Sequence, residues 1–472
     1  MLEGLEINVL KFSELENFMD WSSEYYLKDY FIKSNLIRSK NFLHLDTISF
    51  ITDGEHGSPE WDDRSNITYI TAEFIKPNYI ENGNFKKISA IQDYRNARAR
   101  VQKDDILIYS VGAYAGYTAR AEKHLLPANI PRSVALVRLT DAKINSEYLS
   151  FFLNSEFGVF QTTRFRAGNS QPVLALEKIK QFEIPVLGSA IQTRLKDLYN
   201  LAYDFRQKSQ NTYSSAESLL LDTLGLQGFT ASEESVNIKS FKDSFLATGR
   251  LDAEYYQKKY EDIENKIKSY FNGYKSISDV LLQPIKNGTT PPSVVSGYQT
   301  KEYYFTRIEA FEQNLQINEE QFYSLDKNDF IKYNANLVIT NDILVSMTGT
   351  IGAVAIYTPM KPALINQNIM RLRVNNDILN KETLALYLKS IGKIFLERVQ
   401  TGNVQPYVNT SNFETLVIPI IDKPIQKKIA SLIEKSFTQK KESDRLLEKA
   451  KRAVEIAIEK DEKEALRFIE SE

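Results

Sequence analysis

From about Phe42 to Leu187 the chain carries short apolar runs, such as Asp105 to Tyr109 and Val134 to Leu139, separated by Gly, Asn and Pro, with a helical pattern near Ser146 to Phe160. Runs of this length bounded by turn residues read as strands, so the stretch predicts a mixed α/β (α+β) globular domain. The same grammar returns from about Tyr274 to Ile421. After each domain the period changes. Ile191, Leu195, Leu198, Ala202, Phe205, Ser209, Thr212, Ala216 and Leu219 fall at alternating steps of four and three, and Ile425, Ile429, Leu432, Ser436, Gln439, Ser443, Leu446, Ala450, Ala453 and Ala457 do the same. That spacing predicts two long heptad-patterned helices. One such helix alone could lie on the surface of its own domain. Two copies whose seams both turn polar near the middle favour an antiparallel coiled-coil pair with pseudo-twofold symmetry.

The pattern repeats residue by residue. Glu24-Tyr25-Tyr26 returns as Glu254-Tyr255-Tyr256, Gly54 with Pro59 as Gly288 with Pro291 and Pro292, and Asp105-Ile106-Leu107-Ile108 as Asp342-Ile343-Leu344-Val345. Gly168-Asn169-Ser170-Gln171-Pro172 recurs as Gly402-Asn403-Val404-Gln405-Pro406, then Ile184-Pro185 as Ile418-Pro419 and Ile191-Gln192 as Ile425-Gln426. Ordered matches at offsets between 230 and 237 mark a tandem internal duplication. The expected divisions are an N-terminal segment (1–41), a first globular domain (42–187), a central helix (188–226), a linker opening the second repeat (227–273), a second globular domain (274–421) and a C-terminal helix (422–470).

At 472 residues, 42% hydrophobic and 25% charged, the chain has ordinary globular composition and length for several cores. The absence of cysteine excludes disulfides and thiol catalysis. Acidic residues in MLEGLEINVLKFSELENF, and apolar runs no longer than strands, point to a cytoplasmic protein without membrane segments. With 59 Lys plus Arg against 61 Asp plus Glu, net charge gives no sign of a polyanion partner.

The duplicated order of globular domain, Gly-Asn-x-Gln-Pro, Ile-Pro strand end and Ile-Gln helix start resembles the specificity (S) subunit of type I restriction-modification systems, from about Glu24 to Glu459. The resemblance implies two target recognition domains, each reading half of a bipartite double-stranded DNA target, on paired helices that fix the spacing. It also implies modification subunits, expected as two, that methylate adenine, and restriction subunits that cleave unmethylated DNA. S-adenosylmethionine, ATP and Mg are expected on those partners, with no cofactor on this chain. The chain departs from the pattern where the second helix runs on to Glu470 and where Gly228 to Lys239 lacks a counterpart. Alternatives are the specificity chain of a two-subunit type II enzyme and a free-standing methyltransferase or nuclease. No Asn/Asp-Pro-Pro-aromatic tetrad occurs, so a non-catalytic chain is expected.

DNA contact needs cations for phosphates and Arg, Lys, Asn or Gln for base edges. From Phe42 to Leu187 basic and acidic residues balance at 17 each, so local clusters must carry the binding. The candidates are Lys86, Lys87, Arg95, Arg98, Arg100, Lys103, Arg164, Arg166, Asn169 and Gln171, then Lys286, Arg307, Arg398, Asn403 and Gln405. A charge cluster is more often a solvated face. Trp61, Tyr79 and Tyr298 are candidate base contacts, although such aromatics are more often core. Gly112-x-x-x-Gly116 and Gly349-x-x-Gly352 lack phosphate-loop spacing and read as turns. His44, His56 and His124 lack metal-ligand spacing.

Overall fold

The structure, a computed structural model, describes residues 9, 23–168, 171–232, 234, 236–294, 302–401 and 406–471. The chain divides into two compact units, Met1–Phe205 with Lys441–Glu472, and Arg206–Lys440. Each is a mixed helix and strand body. Among the described residues no helix is long and apolar enough to cross a membrane.

The first unit centres on a four-stranded antiparallel sheet in the order Ser49–Asp53, Val134–Leu139, Ile106–Tyr109, Thr118–Arg120. The apolar runs seen in sequence are its inner strands, and Ile106, Leu107, Val134 and Leu136 are fully buried. The Ile-Pro motif closes the domain: Phe42–His44 pairs with Glu183–Pro185, joining the domain's first strand to its last. The helical stretch is two helices, Ser146–Asn154 and Glu156–Phe165, parted at Ser155.

The second unit repeats these elements. Its sheet runs Lys286–Asn287, Ile369–Leu372, Ile343–Ser346, Val354–Ile356, and Tyr274–Ser276 pairs with Val417–Pro419. The Asp that opens each central strand does the same work twice. Asp105 accepts from the Gln102 amide (2.7 Å) and pairs with Arg138, as Asp342 accepts from the Ile339 amide (2.9 Å) and pairs with Arg373. Gln192 and Gln426 fix the start of each long helix. The Gln192 amide nitrogen donates to the Lys143 and Leu187 carbonyls while its oxygen accepts from the Asn145 amide (2.8 Å each). Gln426 binds Ile378, Ile421 and Asn380 in the same manner.

The long helices are Ser189–Thr223 and Lys423–Glu459. In the first unit Ile191, Leu195, Tyr199 and Ala202 share a core with Leu446, Ala450, Val454 and Ile458. In the second, Tyr213, Ala216 and Leu220 share one with Ile429 and Ile433. The early part of one helix packs with the late part of the other in both cases, so the pair is antiparallel. The polar positions are used: Ser209 Oγ donates to the Ser436 carbonyl (2.8 Å), Ser436 Oγ to the Ser209 carbonyl (2.9 Å), and Thr212 Oγ1 to Gln439 Oε1 (2.9 Å).

Two expectations need correction. Tyr199, Tyr213 and Leu220 are buried, whereas the expected seam residues Leu198, Thr212 and Leu219 are half-buried. The helix meets its globular domain as well as its partner helix, and a two-sided contact widens the apolar stripe. The second helix does not continue to Glu470. It stops at Glu459, and Asp461 caps a separate helix, Glu462–Glu470, by accepting from the Glu464 amide (2.8 Å). Asp at an N-cap satisfies an otherwise orphan amide and so starts a new helix here.

Candidate nucleic-acid interface

In the first unit three loops converge on the edge where Val134–Leu139 begins. Gly54 packs against the Ile130 carbonyl so closely that an added Cβ would lie 1.7 Å from its oxygen. The Arg132 amide donates to the Glu55 carbonyl (2.9 Å) and the Ser110 amide to the Ser133 carbonyl (2.9 Å). Gly112 donates to the Pro172 carbonyl (2.9 Å) and Leu174 to the Ser110 carbonyl (2.8 Å), which ties in the segment around Gly168 and Gln171.

The second unit repeats the convergence. A Cβ on Gly288 would lie 2.1 Å from the Ile365 oxygen. Met347 donates to the Asn368 carbonyl (2.8 Å) and Val408 to the Met347 carbonyl (2.9 Å). His56, Arg132, Arg166 and Gln171 are exposed on the first surface, and Lys286, Thr290, Gln367 and Tyr407 on the second.

The predicted cations fall into three groups. Arg95, Arg98 and Arg100 are half-exposed but each meets a carboxylate: Glu60 (2.6 Å), Asp53 (3.0 Å) and Asp93 (2.7 Å). Their charges are compensated, so the run in sequence is not a strongly positive patch. Lys103 lies 3.6 Å from Asp104, Lys87 donates to Thr68 Oγ1 (3.0 Å), Lys86 stands 4.8 Å over the Trp61 ring, and Arg307 stands 4.5 Å over that of Tyr323.

Arg164 and Arg398 belong to the framework. Arg164 is 8% exposed; its Nε donates to the Tyr25 carbonyl (3.1 Å), and its guanidinium lies 4.2 Å over the Tyr25 ring. Arg398 Nε donates to the Tyr255 carbonyl (3.0 Å), with the guanidinium 4.5 Å over that ring and 2.8 Å from Glu264. The repeated Glu-Tyr-Tyr segment is thus anchored to its domain by an arginine in both units. Burial pushes the Glu264 carboxyl up, but hydrogen bonds and charge from Lys268 and Arg398 outweigh it and hold it below the usual carboxylate range. A phosphate contact by either arginine would require it to leave these partners.

Arg166, Gln171 and Lys286 are exposed, and Asn169, Asn403, Gln405 and Tyr298 lie outside the described residues. Trp61 is 46% exposed and Tyr79 half-buried. His56 meets Asp53 (2.8 Å), His44 Nδ1 lies 3.4 Å from the Gln181 carbonyl, and His124 lies 3.0 Å from both Tyr203 and Asn82. Sequence reasoning missed Arg132. Its signal was available in the alignment of Ile130-Pro131-Arg132-Ser133 with Ile365-Asn366-Gln367-Asn368, which places it at the convergence.

Residues 273–449 match the family model described as type I restriction modification DNA specificity domain. Over that stretch the chain is similar to the type I restriction-modification DNA specificity family. The matched stretch holds the second globular domain and most of the second long helix. Among solved structures, the S subunit of a type I restriction-modification system from M. genitalium aligns at 12% identity over 91% of this chain and 96% of that one, TM-score 0.35. The HsdS subunit from Thermoanaerobacter tengcongensis aligns at 14% identity over 89% and 96%, TM-score 0.28.

Proposed function

We propose that this specificity subunit reads a bipartite DNA target, one half with each unit, and directs adenine methylation or cleavage carried out by partner subunits. The observation that carries the reading is the loop convergence, built twice on matching backbone bonds with different side chains exposed on it. A shared scaffold with unlike surfaces suits two half-sites of unlike sequence. On this reading the chain is a tandem duplication without catalytic residues of its own, and it works in the cytoplasm with two modification subunits and with restriction subunits. S-adenosylmethionine, ATP and Mg belong to those partners. Arg166, Gln171 and Lys286, exposed at or beside the loops, are the predicted candidates best placed for DNA.

The antiparallel helices act as a coiled-coil spacer between the half-sites. The reciprocal Ser209 and Ser436 bonds support this role, because buried polar pairs specify register at some expense of stability. Exchanging 42–187 for the equivalent domain of a relative, and sequencing methylated adenines in a host carrying the modification subunits, tests the reading. One half-site should change and the other stay intact. A swap that alters both halves, or neither, rejects independent reading by the two units.

A further inference from the structure

Arg132 and Gln367 occupy one backbone position in the two units. Each lies two residues beyond the carbonyl that abuts a loop glycine, Ile130 against Gly54 and Ile365 against Gly288. Each also lies two residues before a strand residue paired in the same way, Val134 with Tyr109 and Ile369 with Ser346. Both side chains are exposed. The Arg132 backbone is held from two sides, its amide by the Glu55 carbonyl (2.9 Å) and its carbonyl by Ser110 Oγ (3.4 Å). Gln367 Oε1 accepts from Thr290 Oγ1 (2.5 Å), which fixes its amide plane. Unlike Arg95, Arg98 and Arg100, Arg132 has no carboxylate partner among the described residues.

We propose that this position is a specificity-determining one in both units, reading a guanine through Arg132 and an adenine through Gln367. The inference rests on the bipartite reading above. Arginine presents two parallel donors that match O6 and N7 of guanine, and glutamine presents the donor and acceptor that match N7 and N6 of adenine. Phosphates are alike in every sequence, so a phosphate contact common to both domains would keep its positive charge. Here the backbone is kept and the charge is not, as expected where two domains read different bases.

The test is the methylome of a host expressing the modification subunits with the wild-type chain, R132Q or Q367R. R132Q should move one base of one half-site from guanine to adenine, with preference shifted on the order of ten- to a hundredfold, the other half-site staying unchanged. Q367R should do the converse in the other half-site. If R132Q methylates nothing, binding of the purified complex to duplexes carrying each single G-to-A change in that half-site decides. One duplex should regain affinity, and regain by none overturns the proposal. An unchanged motif with uniformly weaker methylation and a smaller salt dependence also overturns it, since that is the behaviour of a phosphate contact. A wild-type chain that yields no bipartite motif overturns the parent reading as well, and is told apart from the other failures by the control alone.

Discussion

The two units hold the same strand against the same kind of long helix by opposite means. In the first, Arg120 stands opposite Ile106 in the sheet and is buried. It meets Glu122 (2.6 Å), Asp104 (3.3 Å) and Glu147, and lies 4.3 Å over the ring of Tyr199, whose hydroxyl donates to Glu122 (3.0 Å). In the second, the residue opposite Ile343 is Ile356, within an apolar core that includes Tyr213, Ile429 and Ile433. Glu382, the counterpart of Glu147, pairs instead with its neighbour Lys381 (2.5 Å). One ladder position therefore tolerates either a complete ion cluster or a hydrocarbon side chain. What the fold requires is that whichever is present be fully satisfied, because desolvated charges are favourable only with all their partners in place.

Removing one member of the cluster should break the first unit most severely. Arg120→Ala leaves Glu122 and Glu147 buried without their cation, and about 3 to 5 kcal/mol of that unit's stability should be lost. Chemical denaturation with hydrogen exchange followed over Thr118–Arg120 and Ile343–Ser346 separates the units. Equal loss of protection in both strands would contradict a cluster that serves the first unit alone. The matching change in the apolar version is milder. Ile356→Val should cost about 1 kcal/mol in the second unit, since a single methylene is lost from a packed site. A loss as large as that of Arg120→Ala would mean that the apolar contact is as unforgiving as the ionic one.

The smallest effect is electrostatic and sits beside the cluster. Burial pushes the His124 imidazole below its ordinary value, with the Glu122 charge pulling the other way, and its Nδ1 lies 3.0 Å from the Tyr203 hydroxyl. The folded state then binds protons less readily than the unfolded chain. The contribution is fully present above the ordinary value of 6.5 and is lost as pH falls through the folded one. Stability of the first unit should therefore decline slightly more steeply below about pH 6.5 in the wild type than in His124→Gln. Identical pH profiles would remove His124 from this account.

The repeated motifs were legible in sequence, but their meaning was structural. Ile191-Gln192 and Ile425-Gln426 stand out as repeats because both glutamines clamp a helix start to its domain. Arg164 and Arg398 repeat because both anchor a Tyr-Tyr segment, although their charge suggested DNA. The residues that recur in both units are framework. Residues that distinguish the copies, such as Arg132 against Gln367, leave no repeat and were passed over. The compensation of the basic run Arg95, Arg98 and Arg100 was hidden for a related reason: Glu60 and Asp53, which pair with two of its members, lie 35 and 45 residues away in the chain.

The sequence by itself marked the inner strands, the long helices and the recurrence of the motifs, because short apolar runs between turn residues and apolar steps of four and three reflect local backbone geometry. It also marked the middle of the helix seam as polar. Only the tertiary structure decided which hydroxyls meet there, where the last helix breaks off, and which arginines face a carboxylate, a tyrosine ring or solvent. Those outcomes depend on distances of a few ångströms between residues far apart in the chain, and charge interactions change steeply over that range and with burial.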